Sequence, residues 1–432
     1  MRIPLSKPEI GAREIERVTQ ALRTGRLSQG PLLAEFERKF AAYAGTRYAV
    51  AVSSGTAALH LCVRALGIGA GDEVLTTSFS FVASVNCLLY EQAMPAFADI
   101  DPATLNLDPE EVRGAIRRDY VWDRAQSAHV NRRTGRVLKA ILPVHIFGLP
   151  CEMEKIFEIA EEFELCVLED ACEALGAQYR GRPVGTQGDA AVFAFYPNKQ
   201  MTTAEGGMIA TNNPQIARVC RSMRNQGRDE YGGWLRHERL GYNYRLSELH
   251  CALGLAQLER IEELLEARAR VAALYARLLR GVPGILPPCD PPGTKRSWFA
   301  YVVRLQGQAG AALRDILMAG LRERAIACQA YFPVIHRQPY LREFAVGIER
   351  PLPVAESAAE RCLALPLFPA MTREQVEEVS AAVREILSRQ EHWPAQRDGT
   401  EGRSEEHGAR EESPASANAV GRAHDSNAAI SL

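Results

Sequence analysis

Three stretches of this 432-residue chain carry residue types and spacings suited to chemistry. In FAFYPNKQMTTAEGGMIAT (193–211) an apolar strand breaks at Pro197 and presents Lys199 on a short polar loop, and a second apolar run begins past Gly206 and Gly207. A lysine held between two buried strands can be desolvated and act as a nucleophile toward a carbonyl carbon. The same position also suits a lysine that only keeps a turn soluble. In VLEDACEALGA (167–177) Asp170 closes an apolar run, where a carboxylate stands at a strand end or caps a following helix. In YAVAVSSGTAALHL (48–61) Ser54-Gly55-Thr56 turns a short strand into a helix. Such a turn aims free backbone N–H groups and the positive end of a helix dipole at one point, a seat for phosphate, although an ordinary N-cap uses the same residues. Phe81, in SFSFVAS (78–84), adds a flat apolar face at another strand–helix junction, where an aromatic can equally be core.

The elements that must position these residues alternate along the chain. Ile15, Val18 and Leu22, then Leu33, Phe36, Phe40 and Tyr43, mark two amphipathic helices ahead of the first strand. Strand and helix patterns then succeed each other: strands at 73–77, 94–98, 139–144 and 165–168, and helices at 82–90, 109–117 and 153–163. Repeated βαβ units predict an α/β fold, a mostly parallel sheet covered by helices on both faces, with the site at the carboxyl ends of its strands. Residues 118–136 interrupt the rhythm with an Arg-rich polar stretch that reads as a surface insertion without chemistry. From Leu246, positions 249, 253, 256, 261, 265, 268, 272, 275 and 279 trace one face of a single long helix stopped at Gly281. The division expected is a large α/β domain at 1–245, a connecting helix at 246–281, a smaller α+β domain at 282–390 and a disordered tail at 391–432.

Composition narrows the partners. A net charge of −2 gives no general attraction to nucleic acid or to an anionic membrane, so small molecules or a second copy of the chain are expected instead. No apolar run reaches the ~18 residues of a membrane span, and the first residues lack a signal-peptide core, which makes cytoplasm the expected compartment. The ten cysteines are scattered without metal-ligand spacing, the pattern of buried free thiols; no metal is expected.

An amine, an acid, an aromatic face and an anion seat are the partners that pyridoxal 5'-phosphate requires. The chain also resembles the DegT/DnrJ/EryC1/StrS family of sugar aminotransferases, a branch of the fold-type I pyridoxal-phosphate enzymes. The resemblance runs over roughly residues 3–388 and is carried by IPLSKPEIG, TGRLSQGP, YAVAVSSGTAALHL, SFSFVASVN, LPVHIFGLP, VLEDACEALGA, FAFYPNKQMTTAEGG, LGYNYRLSE and YFPVIH, in family order. It implies that Lys199 carries the cofactor as a Schiff base and serves as acid/base catalyst, that Asp170 faces the pyridine nitrogen, and that Phe81 stacks on the ring. It further implies that Gly55 and Thr56 hold the phosphate, that Glu173 contacts the cofactor, and that Asn243 reaches the phosphate of the neighbouring subunit, making a homodimer with shared sites.

His336 and Gln329 are the residues expected toward substrate. Departures from the family pattern are Glu173 in place of Gln or His, Ala194 in place of a phosphate-binding serine, Ala204 in place of the glycine before Glu205, and Gln329 where relatives often carry arginine. The implied reaction moves an amino group from L-glutamate or L-glutamine to a nucleotide-linked keto-sugar, a 4-keto-6-deoxy sugar first and the 3-keto isomer next. Two other readings are a pyridoxamine-phosphate-dependent sugar dehydratase, in which a histidine would replace Lys199, and a non-catalytic cofactor-binding regulator.

Overall fold

Leu33, Phe36 and Phe40 recur at helical spacing, and they form the buried face of the second of two opening helices, α1 (Ala12–Arg23) and α2 (Pro31–Ala44). The computed structural model describes residues 2–229, 236–307, 310–344 and 351–389; the tail expected at 391–432 lies outside them. The alternation predicted from the sequence follows as β1 (Tyr48–Val52), α3 (Gly55–Ala65), β2 (Asp72–Thr77), α4 (Ala83–Leu89), β3 (Met94–Ala98) and α5 (Pro109–Asp119). After it come β4 (Tyr120–Asp123), β5 (Ala128–Asn131), β6 (Val137–Leu142), α6 (Met153–Glu162) and β7 (Cys166–Asp170). The short strands β8 (Gln178–Tyr179) and β9 (Arg182–Pro183) precede β10 (Ala190–Ala194), β11 (Gly207–Thr211) and α7 (Pro214–Arg224).

The main sheet runs β1-β11-β10-β7-β6-β2-β3. Its pairs from β10 to β3 are parallel, while β11 runs antiparallel to both of its neighbours. That reversal has a local cause: residues 195–206 return the chain directly from β10 to β11, and Lys199 lies on this return. Phe193 and Phe195, at its entrance, interlock with Phe36 and Phe40 of α2 at ring-centroid distances of 5.3–5.7 Å. All four rings are buried, each stabilising the fold by about 1.5–3 kcal/mol, so the loop that carries the lysine starts from a fixed base.

Two expectations are corrected. Residues 118–136 are not merely a surface insertion, because β4 and β5 form a hairpin that continues onto β6. Tyr120, Asn131 and Thr134 donate from this hairpin to the buried Glu73 carboxylate at 2.5, 2.9 and 2.8 Å. The long helix expected over 246–281 is two helices, α8 (Glu248–Leu258) and α9 (Ile261–Leu278). Helical periodicity continues through the break, but Arg260 has φ −123° and ψ 21° and turns its guanidinium onto Glu9 and Glu14 near the start of α1.

Beyond α9, β12 (Ile285–Leu286) and β13 (Thr294–Lys295) lead to β14 (Tyr301–Leu305), α10 (Gly310–Glu323), α11 (Pro353–Arg361), β15 (Cys362–Leu365) and α12 (Arg373–Ser388). The antiparallel sheet β12-β14-β15 packs with α9, α10 and α12 around a core that includes Tyr275, Val303, Leu317, Leu363 and Val383. Among the described residues no helix is long and apolar enough to cross a membrane.

Candidate active site

Strand ends and the turns that follow them place the functional groups. At the β1–α3 turn, the Ser54 hydroxyl accepts the Ala57 N–H at 3.0 Å as an N-cap. The first N–H groups of α3, at Gly55 and Thr56, are left without intrahelical acceptors. The turn is packed from two sides. A Cβ on Gly55 would stand 2.8 Å from the Ala194 Cβ and 3.0 Å from the Cys172 Sγ, and one on Gly207 would stand 2.4 Å from the Ser54 carbonyl oxygen. Only glycine lets this turn lie so close to the ends of β10 and β7.

Asp170 is the last residue of β7 and is 5% exposed. The Ser84 hydroxyl donates to its Oδ2 at 2.7 Å and the Cys172 N–H to its Oδ1 at 3.1 Å. Its carboxylate is thereby held in one orientation from α4 and from the loop after β7. Burial, with Asp170 beside it, pushes the Cys172 thiol well up, so that sulfur stays protonated.

Lys199 reaches into the same neighbourhood. Its Nζ is 3.4 Å from the Glu173 Oε1 and 4.0 Å from the centre of the Phe299 ring, and its side chain is 14% exposed. The other Glu173 oxygen accepts the Phe147 N–H at 2.9 Å. Burial raises the Glu173 pKa above its ordinary range, an effect the Lys199 cation opposes. Asp170, Glu173 and Lys199 all lie within electrostatic reach of Cys172, which also touches the Gly55 position. Four of the residues singled out from the sequence, Lys199, Asp170, Glu173 and Gly55, thus converge.

The other candidates stand around this centre. Phe81 immediately precedes the first turn of α4, three residues before Ser84, and is 60% exposed, an unusual state for a phenylalanine at such a junction. Asn243 is exposed, on a segment bridged to Asn225, and the next residue's carbonyl accepts the Ser53 N–H at 2.9 Å, which sets that segment against the β1–α3 turn. His336 is committed elsewhere: Nδ1 meets the Ser78 hydroxyl at 2.6 Å and Nε2 meets the Glu356 carboxylate at 3.0 Å, so neither ring nitrogen is open to a substrate. Gln329 extends the small sheet by backbone bonds to Ala364 and leaves its side chain exposed. Ala204 holds φ +67°, a conformation that favours the glycine expected there.

Sequence reasoning passed over several residues of the site. Ser84 lay within SFSFVASVN, but nothing in that phrase ties its hydroxyl to Asp170. Phe299 and Gln200 were missed altogether; Gln200 donates to the carbonyl oxygens of Glu173 and Ser297 at 2.5 and 3.2 Å. Position 268 was counted in an apolar stripe, yet it is an arginine, and it is buried.

A mostly parallel sheet flanked by helices, with a lysine, an acid and a glycine-lined helix N-terminus at its strand ends, is the architecture of a fold-type I aminotransferase. The chain belongs to the DegT/DnrJ/EryC1/StrS aminotransferase family, whose model matches residues 8–384. It is 35% identical over 396 residues to the spore coat polysaccharide biosynthesis protein SpsC of Bacillus subtilis strain 168, covering 89% of this chain and 97% of that one. Among solved structures, DesV of S. venezuelae, determined in complex with a ketimine intermediate, superposes with a TM-score of 0.78 at 34% identity, covering 89% of this chain and 98% of that one. PseC of Helicobacter pylori, an aminotransferase involved in the biosynthesis of pseudoaminic acid, gives a TM-score of 0.80 at 26% identity, covering 90% and 99%.

Proposed function

We propose that this aminotransferase uses pyridoxal 5'-phosphate to move an amino group from L-glutamate or L-glutamine onto a nucleotide-linked keto-sugar, most readily a 4-keto-6-deoxy sugar. One observation carries the reading: the Lys199 amine, on a half-buried loop, shares a neighbourhood with an oriented acid and a glycine-lined helix N-terminus. The residues present fit the cofactor. Gly55 and Thr56 offer free N–H groups to a phosphate, Phe81 an exposed flat face to a ring, and Asp170 a fixed carboxylate to a ring nitrogen. When bound, the cofactor supplies an aldehyde that condenses with amines and a ring that accepts electrons.

The protein's own part is orientation and proton movement. Asp170 would be the residue that holds a proton on the cofactor's ring nitrogen; a close opposite charge moves such a pKa by ~1–3 units, worth ~1.4–4 kcal/mol. Ser84 keeps that carboxylate from rotating away. With the cofactor bound, the Lys199 amine would be the group placed to hold and move a proton at the donor's α-carbon, with the Glu173 carboxylate 3.4 Å away as a further proton acceptor. Donor and keto-sugar use the site in turn, so the kinetics are ping-pong.

Asn243, exposed beside the anion seat, is assigned to the partner subunit's phosphate in a homodimer, and the exposed Gln329 to substrate. Relatives named for polysaccharide and pseudoaminic acid biosynthesis support a sugar as acceptor. Ten free cysteines suit a reducing cytoplasm. The dehydratase reading is disfavoured by a lysine at 199. In the test, purified protein absorbs as a lysine-linked pyridoxal phosphate and L-glutamate bleaches that band, whereas a regulator would keep its spectrum. Keto-sugar nucleotides that restore the band name the acceptor; if L-glutamate leaves it unchanged, the proposal fails.

A further inference from the structure

Arg268, on α9, is 1% exposed, and burial alone lowers its pKa to about 10, with no carboxylate opposing the effect. It is therefore a cation at neutral pH, sealed in the interior, and no ion pair offsets it among the described residues. An apolar residue of similar volume would stabilise a core position as well or better. What the guanidinium does have is four carbonyl oxygens from two separate segments. Nη2 donates to Lys199 at 2.7 Å and to Asn198 at 3.2 Å, and Nη1 donates to Phe299 at 3.3 Å and to Trp298 at 3.5 Å.

These two segments bear on the reacting amine from opposite ends. Through Nη2 the guanidinium fixes the peptide from which the Lys199 side chain departs. Through Nη1 it fixes the backbone of Phe299, whose ring centre lies 4.0 Å from the Lys199 Nζ at the far tip. One rigid planar fork thus sets both the root of the side chain and the surface on which its tip rests. A lysine would put a single point charge in the same place and could not hold both pairs of carbonyls.

We infer that Arg268 is the positioning residue for Lys199, aiming its amine by holding the lysine loop and Phe299 in fixed register. The inference rests on the function proposed above. Displacement of a reacting group by about 1 Å can cost ~100-fold in rate, so the expected losses fall on chemistry rather than on binding.

The test compares wild type, Arg268→Lys and Phe299→Leu as full chains with pyridoxal phosphate. It measures the melting temperature of the cofactor-free protein, cofactor affinity by equilibrium dialysis, the rate at which borohydride captures cofactor on the Lys199 peptide, and kcat and KM for L-glutamate. For Arg268→Lys, capture and kcat fall at least ~10-fold together while KM stays within about threefold. Phe299→Leu, which leaves the guanidinium in place, slows capture several-fold in the same sense.

Wild-type capture rates in a folded Arg268→Lys, or a kcat loss no larger than its loss of folded, cofactor-loaded protein, overturn the proposal. If Arg268→Lys does not fold, Phe299→Leu decides, and unchanged capture there overturns it. A wild type that captures no cofactor on Lys199 refutes the proposed function instead.

Discussion

The two sides of Lys199 are built by opposite means. Toward β1 and β7 the site consists of short turns read straight along the chain: Ser54-Gly55-Thr56 and Asp170-Ala171-Cys172-Glu173 each place their groups within a few residues of a strand end. Toward α9 it consists of contacts between residues about 30 to 100 positions apart, with Arg268 meeting Lys199 and Phe299, and Phe299 meeting the amine. The first side supplies charges and donors that a ligand would touch. The second fixes where the amine points. Loss of a group on the first side should change what the site binds or polarises, whereas loss on the second should leave binding and slow chemistry.

The sharpest break of that contrast is Asp170→Asn, which keeps the shape and the Ser84 contact but removes the charge. The expected result is a fall in kcat/KM of ~10- to 1,000-fold, matching the ~1–3 pKa units that the carboxylate lends a ring nitrogen, with little change in thermal stability. Steady-state kinetics beside a melting curve would show it; activity near wild type would remove Asp170 from its role. Gly55→Ala comes next. Its Cβ has no room between Ala194 and Cys172, so the variant should lose ~1–3 kcal/mol of stability and bind pyridoxal phosphate more weakly, as read by chemical denaturation and dialysis.

Glu173 belongs to both sides, since it touches the amine and lies in the β7 turn. Its folded pKa is raised above the ordinary value of about 4.5, so its neutral form is favoured on folding. The stability it contributes is fully present below that value and is lost as pH rises through the raised pKa. Melting temperatures of cofactor-free Glu173→Gln relative to wild type should therefore climb from about pH 4.5 toward neutrality and then level off; a flat difference would mean that the shift is absent. The smallest effect expected is at Ala204. A left-handed alanine costs ~1–2 kcal/mol and a glycine adds ~0.4–1 kcal/mol of unfolded-state entropy, so Ala204→Gly should raise stability by ~0–1.6 kcal/mol, and a loss of stability would show that the methyl group packs usefully.

How much was legible in the sequence follows the same division. The α/β fold could be read from alternating periodicities, and the positions of Asp170, Lys199 and the Ser54-Gly55-Thr56 turn at strand ends from local pattern: a Ser-Gly-Thr turn, a carboxylate closing an apolar run, a lysine between two strands. The break between α8 and α9 was not legible, because the helical stripe continues through Arg260 and only the docking of α1 interrupts it. Arg268 was hidden in the same stripe, where an arginine at a buried position looks like a helix face until its carbonyl partners arrive from elsewhere in the chain. His336 shows what a family phrase leaves out: a loop histidine suggests a substrate contact, while only the fold brings Ser78 and Glu356 to its two ring nitrogens.

The most direct measurement is mass spectrometry of the purified protein after incubation with pyridoxal phosphate, reduction by borohydride and proteolysis. A single pyridoxyl adduct on the peptide bearing Lys199, absent when that residue is replaced by alanine, is the expected result. An adduct on another lysine, or none at all, would contradict the assignment of this amine as the group that carries the cofactor.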